Sequence, residues 1–215
     1  DIRLKEVTDM LYNILALISL FVVLTMLRKL VSVFPSLMAC LIRSKESINL
    51  EASAQLSRCR NFVAAAMILP FCLIVWKDGL YSPTFMEGIN ENLRFFIILG
   101  IFTVYVLTRK MLEHMLMPKV TNSKIYAAAC KAGRTFFSIL TLTLLSMAGI
   151  MSILNVTEVA ATDAMLWVSA SIYLIYLLRK IQILMSSASF FAAFLYLCAL
   201  ELIPTGALAA SAIIF

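Results

Sequence analysis

Residues 190–204 read Phe-Phe-Ala-Ala-Phe-Leu-Tyr-Leu-Cys-Ala-Leu-Glu-Leu-Ile-Pro, an apolar stretch that carries one carboxylate, Glu201. An ionised side chain at the centre of a bilayer costs at least about 2.5–3.5 kcal/mol unless it is paired. The stretch therefore predicts a membrane-spanning helix. The rest of the chain must supply groups that pair with Glu201 and offset the cost of placing it there.

The composition of the whole chain agrees with a membrane protein. Of its 215 residues 62% are hydrophobic, and the mean hydropathy is +0.97, whereas soluble domains are about 45–50% apolar. This excess fits several membrane spans packed as a single domain over residues 1–215. The net charge of +6 does not indicate nucleic-acid binding, because the basic residues are concentrated in the segments that connect certain apolar runs.

Six apolar runs approach the roughly 20 residues that a helix needs to cross a bilayer. They predict an all-α protein with about six transmembrane helices. Pro70 predicts a kink in the second run. The runs cover residues 10–26 (extending to 34 in the longer interpretation), 62–76, 95–107, 136–154 and 164–178, and from 187 onward.

Three of these runs end in an Arg-Lys pair: Arg28-Lys29, Arg109-Lys110 and Arg179-Lys180. One interpretation is a repeat of three two-helix units, each descending to its pair and returning. The other is that the pairs mark the cytoplasmic ends of helices, as the positive-inside rule alone would produce. In that interpretation the six residues are anchors at the cytoplasmic face.

The distribution of lysine and arginine predicts the orientation. Segments 28–60, 109–134 and 179–187 hold 14 of the 18 basic residues, and the opposite side holds four. Because cytoplasmic loops carry the excess of basic residues, these three segments are expected in the cytoplasm and both termini outside it. The bilayer, with anionic headgroups at the cytoplasmic face, is then one partner of the chain.

The cytoplasmic segments are too apolar for plain loops. Residues 47–60 predict a short amphipathic helix at the membrane surface, and residues 125–132 predict a similar interfacial helix. Residues 31–42, interrupted by Pro35, are expected either to lie in the interface or to extend the first span.

The candidate site is an intramembrane polar site formed by Glu201, Cys198, Tyr196 and Pro204. With a start near Ser187, Glu201 lies about 21 Å along the helix, past the middle toward the exterior. Pro204 removes a backbone donor, so a kink or break is expected near residues 204–206. The predicted partners of Glu201 are the hydroxyls of Ser138 and Thr141 in the fourth run, and Arg94 at the outer end of the third.

Catalytic and metal-binding patterns are missing from the sequence. The five cysteines form no Cys-x-x-Cys pair, and the single histidine, His114, stands beside only one glutamate. We expect no disulfide, no metal and no cofactor. No phosphate loop or nucleophile motif occurs, so a non-enzymatic protein is favoured.

The closing stretch resembles an uncharacterised family of bacterial multi-pass inner-membrane proteins that ends in Leu-Tyr-Leu-Cys-x-Leu-Glu-x-x-Pro. Residues 195–204 match that signature, and Tyr176-Leu177-Leu178-Arg179 matches the span end that precedes it. The resemblance implies a bacterial cytoplasmic membrane and a domain of unknown function. It implies no activity.

Two functions remain open from the sequence. The first is a non-enzymatic integral subunit or scaffold of a cell-envelope membrane complex, which would bind other membrane proteins or copies of itself. The alternative is a small transporter or channel for a proton-coupled or lipid-like substrate, working through Glu201 near a broken helix.

Overall fold

A computed structural model describes residues 2–86, 88–115, 123–186 and 189–214. Within these ranges the chain forms helices joined by short connections. The helices are α1 (Ile2–Ile42), α2 (Ser44–Ala52), α3 (Ala54–Ala66), α4 (Ile68–Lys77), α5 (Glu91–Met115), α6 (Ser123–Ile153), α7 (Glu158–Met185), α8 (Phe190–Leu197) and α9 (Ile203–Ile214). A 3₁₀ turn at Thr84–Met86 and a π-helical turn at Cys198–Leu202 complete the described structure.

Six helical stretches in the described chain are long and apolar enough to cross a membrane, which confirms the predicted fold class. They cover Met10–Ile42, Ala54–Lys77, Glu91–Met115, Ile125–Ile153, Glu158–Met185 and Phe190–Ala212. Large apolar side chains face outward on these stretches; Trp167, for example, is 76% exposed and Phe191 is 71% exposed. Such surfaces would be a liability in water and are normal against lipid.

Helix α1 runs through Pro35 to Ile42, so residues 31–42 extend the first span. Val33 and Leu37, on either side of the proline, are completely buried against α6 residue Ile139. Packing on one face holds this part of the helix although Pro35 cannot donate a backbone hydrogen bond.

The predicted single helix over 47–60 is wrong. The chain forms α2 and then α3, because Ser53 leaves the helical conformation and its hydroxyl accepts a bond from the Leu56 amide at 3.5 Å, as an N-cap residue does. Arg60 does not lie at the membrane surface; it is 1% exposed inside α3, and its guanidinium bonds Ser57 and Asn61.

The predicted interfacial helix over 125–132 is also wrong, because these residues are the first turns of the continuous helix α6. Ala128, Ala129 and Ala132 are buried there. Small side chains let helix backbones approach closely inside a membrane, and this face of α6 packs with Ile183 and Leu184 of α7.

Span two is interrupted at Met67, where α3 ends and α4 begins. Pro70 lies three residues later and has no N–H for the carbonyl of Ala66, so the regular ladder ends there. The helix is therefore interrupted three residues before Pro70, the residue from which a kink was predicted.

The loop 78–90 marks one end of the bundle, which we call the 78–90 end. The hydroxyls of Tyr81 in this loop and Ser211 of α9 are 2.8 Å apart, and Thr162 of α7 donates to the Asp78 carbonyl at 2.9 Å. The Nζ atom of Lys77 lies 5.2 Å from the ring centroid of Tyr12 in α1. The sixth span thus runs the full length of the bundle and reaches this end beyond Pro204.

Candidate functional site

Glu201 lies at the middle of the sixth span, eleven residues after Phe190 and eleven before Ala212. The sequence predicted a position nearer the exterior, because it assumed that the sixth helix starts at Ser187. Ser187 lies outside the described residues, and α8 begins at Phe190. Glu201 belongs to the π-helical turn, in which the Ile203 amide bonds the carbonyl of Cys198, five residues back. Turns of this kind occur frequently at functional sites.

The expected break at 204–206 takes a different form. Pro204 is buried in the first turn of α9, and the helix continues through Gly206. Because Pro204 lacks an N–H, the chain accommodates the missing bond in the wider turn just before it. The distortion therefore falls on Glu201 itself.

Three donors from two other spans converge on one oxygen of Glu201. The Arg109 Nη2 atom of α5 lies 2.6 Å from Oε1, and the Tyr176 hydroxyl of α7 donates to the same atom at 2.5 Å. The Lys180 Nζ atom, one turn after Tyr176, also bonds Oε1. Glu201 is completely buried and Lys180 is 1% exposed. We call Arg109, Tyr176, Lys180 and Glu201 the charge cluster.

Tyr176 links the two cations of the charge cluster. Its hydroxyl accepts from Arg109 Nη2 at 2.5 Å and from Lys180 Nζ at 3.3 Å while it donates to Glu201. Both cationic groups also lie 5.7 Å from its ring centroid. Because both groups bond the hydroxyl, they lie beyond the rim of the ring, and the tyrosine holds both cations through its oxygen.

Gly133 of α6 makes room for Arg109. A Cβ atom at this position would lie 2.4 Å from Arg109 Nη2 and 3.0 Å from Cζ, closer than atoms can approach without displacement. The guanidinium therefore packs directly on the α6 backbone. A fourth span thereby shapes the charge cluster without bonding Glu201.

Polar groups surround the charge cluster. Arg109 Nε lies 3.6 Å from an oxygen of Glu113, one turn later in α5, and the Tyr126 hydroxyl donates to the Glu113 carbonyl at 3.0 Å. Tyr173 donates to the backbone carbonyl of Glu201 at 3.3 Å. Together with Glu113, the cluster holds two cations and two carboxylates, so the formal charges balance.

The second oxygen of Glu201 has a different environment. Oε2 is buried and has no hydrogen-bond partner among the described residues. A buried acceptor without a donor costs free energy. The carboxylate is thus saturated on one oxygen and bare on the other.

The predicted partners of Glu201 bond elsewhere. Ser138 and Thr141 donate to carbonyls one turn back in α6, at 3.0 and 2.9 Å, and Arg94 Nε donates to the Ile89 carbonyl at 3.2 Å. The prediction of these three partners is wrong, because hydroxyls in a helix reach their own backbone first, and Arg94 belongs to the 78–90 end.

The other predicted site residues flank Glu201. Tyr196 lies against Tyr126, with ring centroids 6.1 Å apart. Cys198 is half-buried and begins the π-helical turn, and Pro204 follows that turn.

Two of the six predicted anchors turn inward. Arg109 and Lys180 belong to the charge cluster, so their interpretation as headgroup anchors is wrong: a bonded, buried counter-charge is available to them. Among the other four, Arg28 and Lys110 are exposed. Lys29 lies over the Phe62 ring at 4.5 Å, and Arg179 donates to the Leu41 carbonyl at 2.9 Å.

The sequence did hold a signal for the missed partners. Tyr176 and Lys180 are four residues apart, as are Arg109 and Glu113, and residues at this spacing share one face of a helix. The spacing places an acceptor, a ring and a cation on shared faces, which a buried polar network requires but exposed helices also show.

Known proteins were compared with the chain by sequence and by structure. A family described as a domain of unknown function, DUF4271, matches residues 12–210. The comparison with curated proteins and the comparison with solved structures each found no match. With the match covering almost the whole chain and all of the charge cluster, this protein belongs to the DUF4271 family.

Proposed function

We propose that this chain is a non-enzymatic integral subunit or scaffold of a bacterial cell-envelope membrane complex. The charge cluster would fix the arrangement of its spans. The observation that supports this function is the closure of two cations and a hydroxyl from α5 and α7 on one completely buried oxygen of Glu201. Such a site ties three spans together, and its partners are all within the chain.

The energetics favour a fixed arrangement. Removing one partner of a buried ion pair costs about 3–5 kcal/mol, because the other charge is left uncompensated. Moving any one of the spans that carry Arg109, Lys180 and Glu201 away from the other two would therefore break a buried ion pair. A rigid bundle with an apolar exterior is a suitable platform for helices of other proteins.

Copurification from native membranes in mild detergent tests this function. We expect the tagged chain to elute with other membrane proteins in fixed stoichiometry, and the Lys110→Gln variant to retain them. Recovery as a lone chain or lone homo-oligomer, under conditions that keep other membrane complexes intact, would refute the subunit function.

A second candidate is a small transporter or channel with a proton-coupled or lipid-like substrate. The observation that favours it is the bare Oε2 atom in a π-helical turn, since this atom is where a proton or another donor would bind Glu201. Glu201→Gln separates the candidates in reconstituted vesicles. Loss of a proton-driven flux with the assembly intact would favour transport, whereas loss of the assembly from a chain that is still folded would favour the subunit.

A further inference from the structure

A cavity of about 290 Å³ opens at the 78–90 end of the bundle, between α1, α4, α5 and the loop. No described residue that lines this cavity belongs to the charge cluster. Two cations, one carboxylate and three aromatic rings line it, over a floor of two buried apolar side chains. Neither proposed function uses this lining.

The two cations are Lys77, the last residue of α4, and Arg94, near the start of α5. Arg94 is oriented by the bond from its Nε atom to the Ile89 carbonyl at 3.2 Å, and Lys77 by the ring of Tyr12. Among the described residues no acceptor bonds the Nη groups of Arg94, so they can bind a further acceptor. Arginine and lysine together provide the donors that proteins use for phosphate.

The carboxylate is Glu91, the first residue of α5, and it is exposed. Trp76 is held by ring contacts with Phe95 and Tyr12, at centroid distances of 5.5 and 6.1 Å. An aromatic face and a carboxylate are the two groups that bind ammonium ions. The lining therefore has a place for a cation as well as for an anion.

The floor of the cavity is apolar. Met86 is 3% exposed and Ile98 is 6% exposed, and the Tyr81 hydroxyl is fixed by Ser211 of α9. Spans end at the headgroup region of a bilayer, where tyrosine and tryptophan concentrate. A ligand with a charged head and an apolar body would match this geometry.

We propose that this cavity binds a phosphoethanolamine group, with its phosphate on Lys77 and Arg94 and its ammonium on Glu91. The two opposite charges of this group satisfy all three ionised side chains of the lining, whereas a simple anion would meet the Glu91 carboxylate. The group occurs as the headgroup of phosphatidylethanolamine and as free glycerophosphoethanolamine.

Trp76 is the reporter for a binding experiment. The chain has two tryptophans, and Trp167 lies exposed outside the cavity, so Trp167→Phe leaves one signal. The protein in dodecyl maltoside is titrated with phosphatidylethanolamine, phosphatidylglycerol, phosphatidylcholine or glycerophosphoethanolamine. We expect a saturable change in Trp76 emission with phosphatidylethanolamine, and weaker binding of phosphatidylcholine, whose methylated ammonium cannot donate to Glu91.

Three variants test the assignment of charges. Lys77→Gln and Arg94→Gln should each weaken the binding of phosphatidylethanolamine by at least about tenfold, as the loss of a charged hydrogen bond does. Glu91→Gln should weaken phosphatidylethanolamine and leave phosphatidylglycerol unchanged or tighter. The matched control is Lys110→Gln, an exposed lysine on the same helix as Arg94. Circular dichroism of each variant verifies its fold.

The outcomes separate the sources of the ligand. Saturable binding of the lipid alone supports a headgroup site, and equal binding of glycerophosphoethanolamine supports the same chemistry with a soluble ligand. Phosphatidylglycerol binding as tightly as phosphatidylethanolamine, with no effect of Glu91→Gln, would overturn the proposal. So would the absence of a saturable change with every ligand in a folded protein.

Discussion

At the residue scale, the central feature is a carboxylate that meets two cations through one atom. Burial removes water from Lys180 and Glu201, and from most of Arg109, whose side chain is 18% exposed. Each charge therefore depends on the others for compensation. The three charges are therefore energetically coupled, and coupling of this kind is measurable.

Glu201→Leu should lower the free energy of unfolding by about 3–5 kcal/mol, because the buried Lys180 and the half-buried Arg109 both lose this counter-charge. Glu201→Gln should also be destabilising, although it keeps an acceptor. The double variant Lys180→Gln with Glu201→Gln should lose less free energy of unfolding than the two single variants lose in sum. Unfolding in detergent, followed by circular dichroism, gives the free energies for this double-mutant cycle.

Lys110→Gln serves as the control for loss of a lysine, since Lys110 is exposed; we expect a change within about 0.5 kcal/mol. Strict additivity of Lys180→Gln and Glu201→Gln would show that the two side chains do not interact in the folded protein.

Gly133→Ala tests the space that α6 leaves for Arg109. The new methyl would lie 2.4 Å from Nη2, so the guanidinium must move away from Glu201, at a cost of about 1–3 kcal/mol. Gly149→Ala in the same helix meets nothing within 4 Å and should be neutral or stabilising by up to about 1 kcal/mol. Equal effects of the two substitutions on thermal stability would contradict the close packing of Arg109.

At the element scale, the π-helical turn connects a backbone feature to the charge cluster. Pro204 cannot donate a hydrogen bond, and the turn before it places Glu201 toward α5 and α7. We therefore expect Pro204 to set the orientation of the carboxylate that precedes it.

Pro204→Ala should lower stability in the native background. Alanine supplies an N–H for the Leu200 carbonyl, so α9 can extend backward and turn Glu201 away from its donors. In the Glu201→Gln background the same change should be neutral or stabilising, because alanine is the better helix former and the ion pairs are already lost. Thermal unfolding of the four proteins measures the difference.

Pro35→Ala is the matched control, because Pro35 lies exposed inside α1, a helix that contributes no residue to the charge cluster. It should be neutral or stabilising in both backgrounds. If Pro204→Ala had the same effect with and without Glu201→Gln, the π-helical turn would have no role in orienting the carboxylate.

The elements were predictable where long apolar runs decide them. Runs of this length have no stable alternative to helices in a bilayer, and the six spans follow from that. The boundaries were less predictable: the apolar residues 31–42 and the alanines of 125–132 are compatible with both an interface and a span. Burial against neighbouring helices determines that both segments belong to spans. Such tertiary packing leaves no local pattern in the sequence.

The site was predictable only in part. Glu201 stands out because a carboxylate interrupts apolar residues. Arg109 and Lys180 did not stand out, because the positive-inside rule already accounts for the Arg-Lys pairs. Which member of each pair turns inward depends on the rotation of its helix: Arg109 and Lys180 face Glu201, whereas Lys110 is exposed and Arg179 bonds Leu41. A helix rotation is set by packing and is not encoded at the pair itself.

At the scale of the whole molecule, the two ends of the bundle should lie on opposite sides of the membrane. The excess of basic residues lies away from the 78–90 end, so that end is expected outside the cytoplasm. Single cysteines at the exposed positions Asn49 and Ser82, in a background without native cysteines, test this in intact cells. An impermeant thiol reagent should label Ser82→Cys and spare Asn49→Cys; the reverse pattern would invert the topology.

The chain order of the charge cluster has a consequence for how the protein is made. Glu201 follows Lys180 by 21 residues and Arg109 by 92, so during synthesis both cations leave the ribosome before their counter-ion. Until the sixth span arrives, Arg109 has only Glu113 of its own helix as a counter-charge, and Lys180 lacks the carboxylate that it bonds in the folded protein. The sixth span therefore completes the electrostatics of helices inserted earlier, and a chain interrupted before residue 190 would present Arg109 and Lys180 without Glu201 to the cell's membrane quality control.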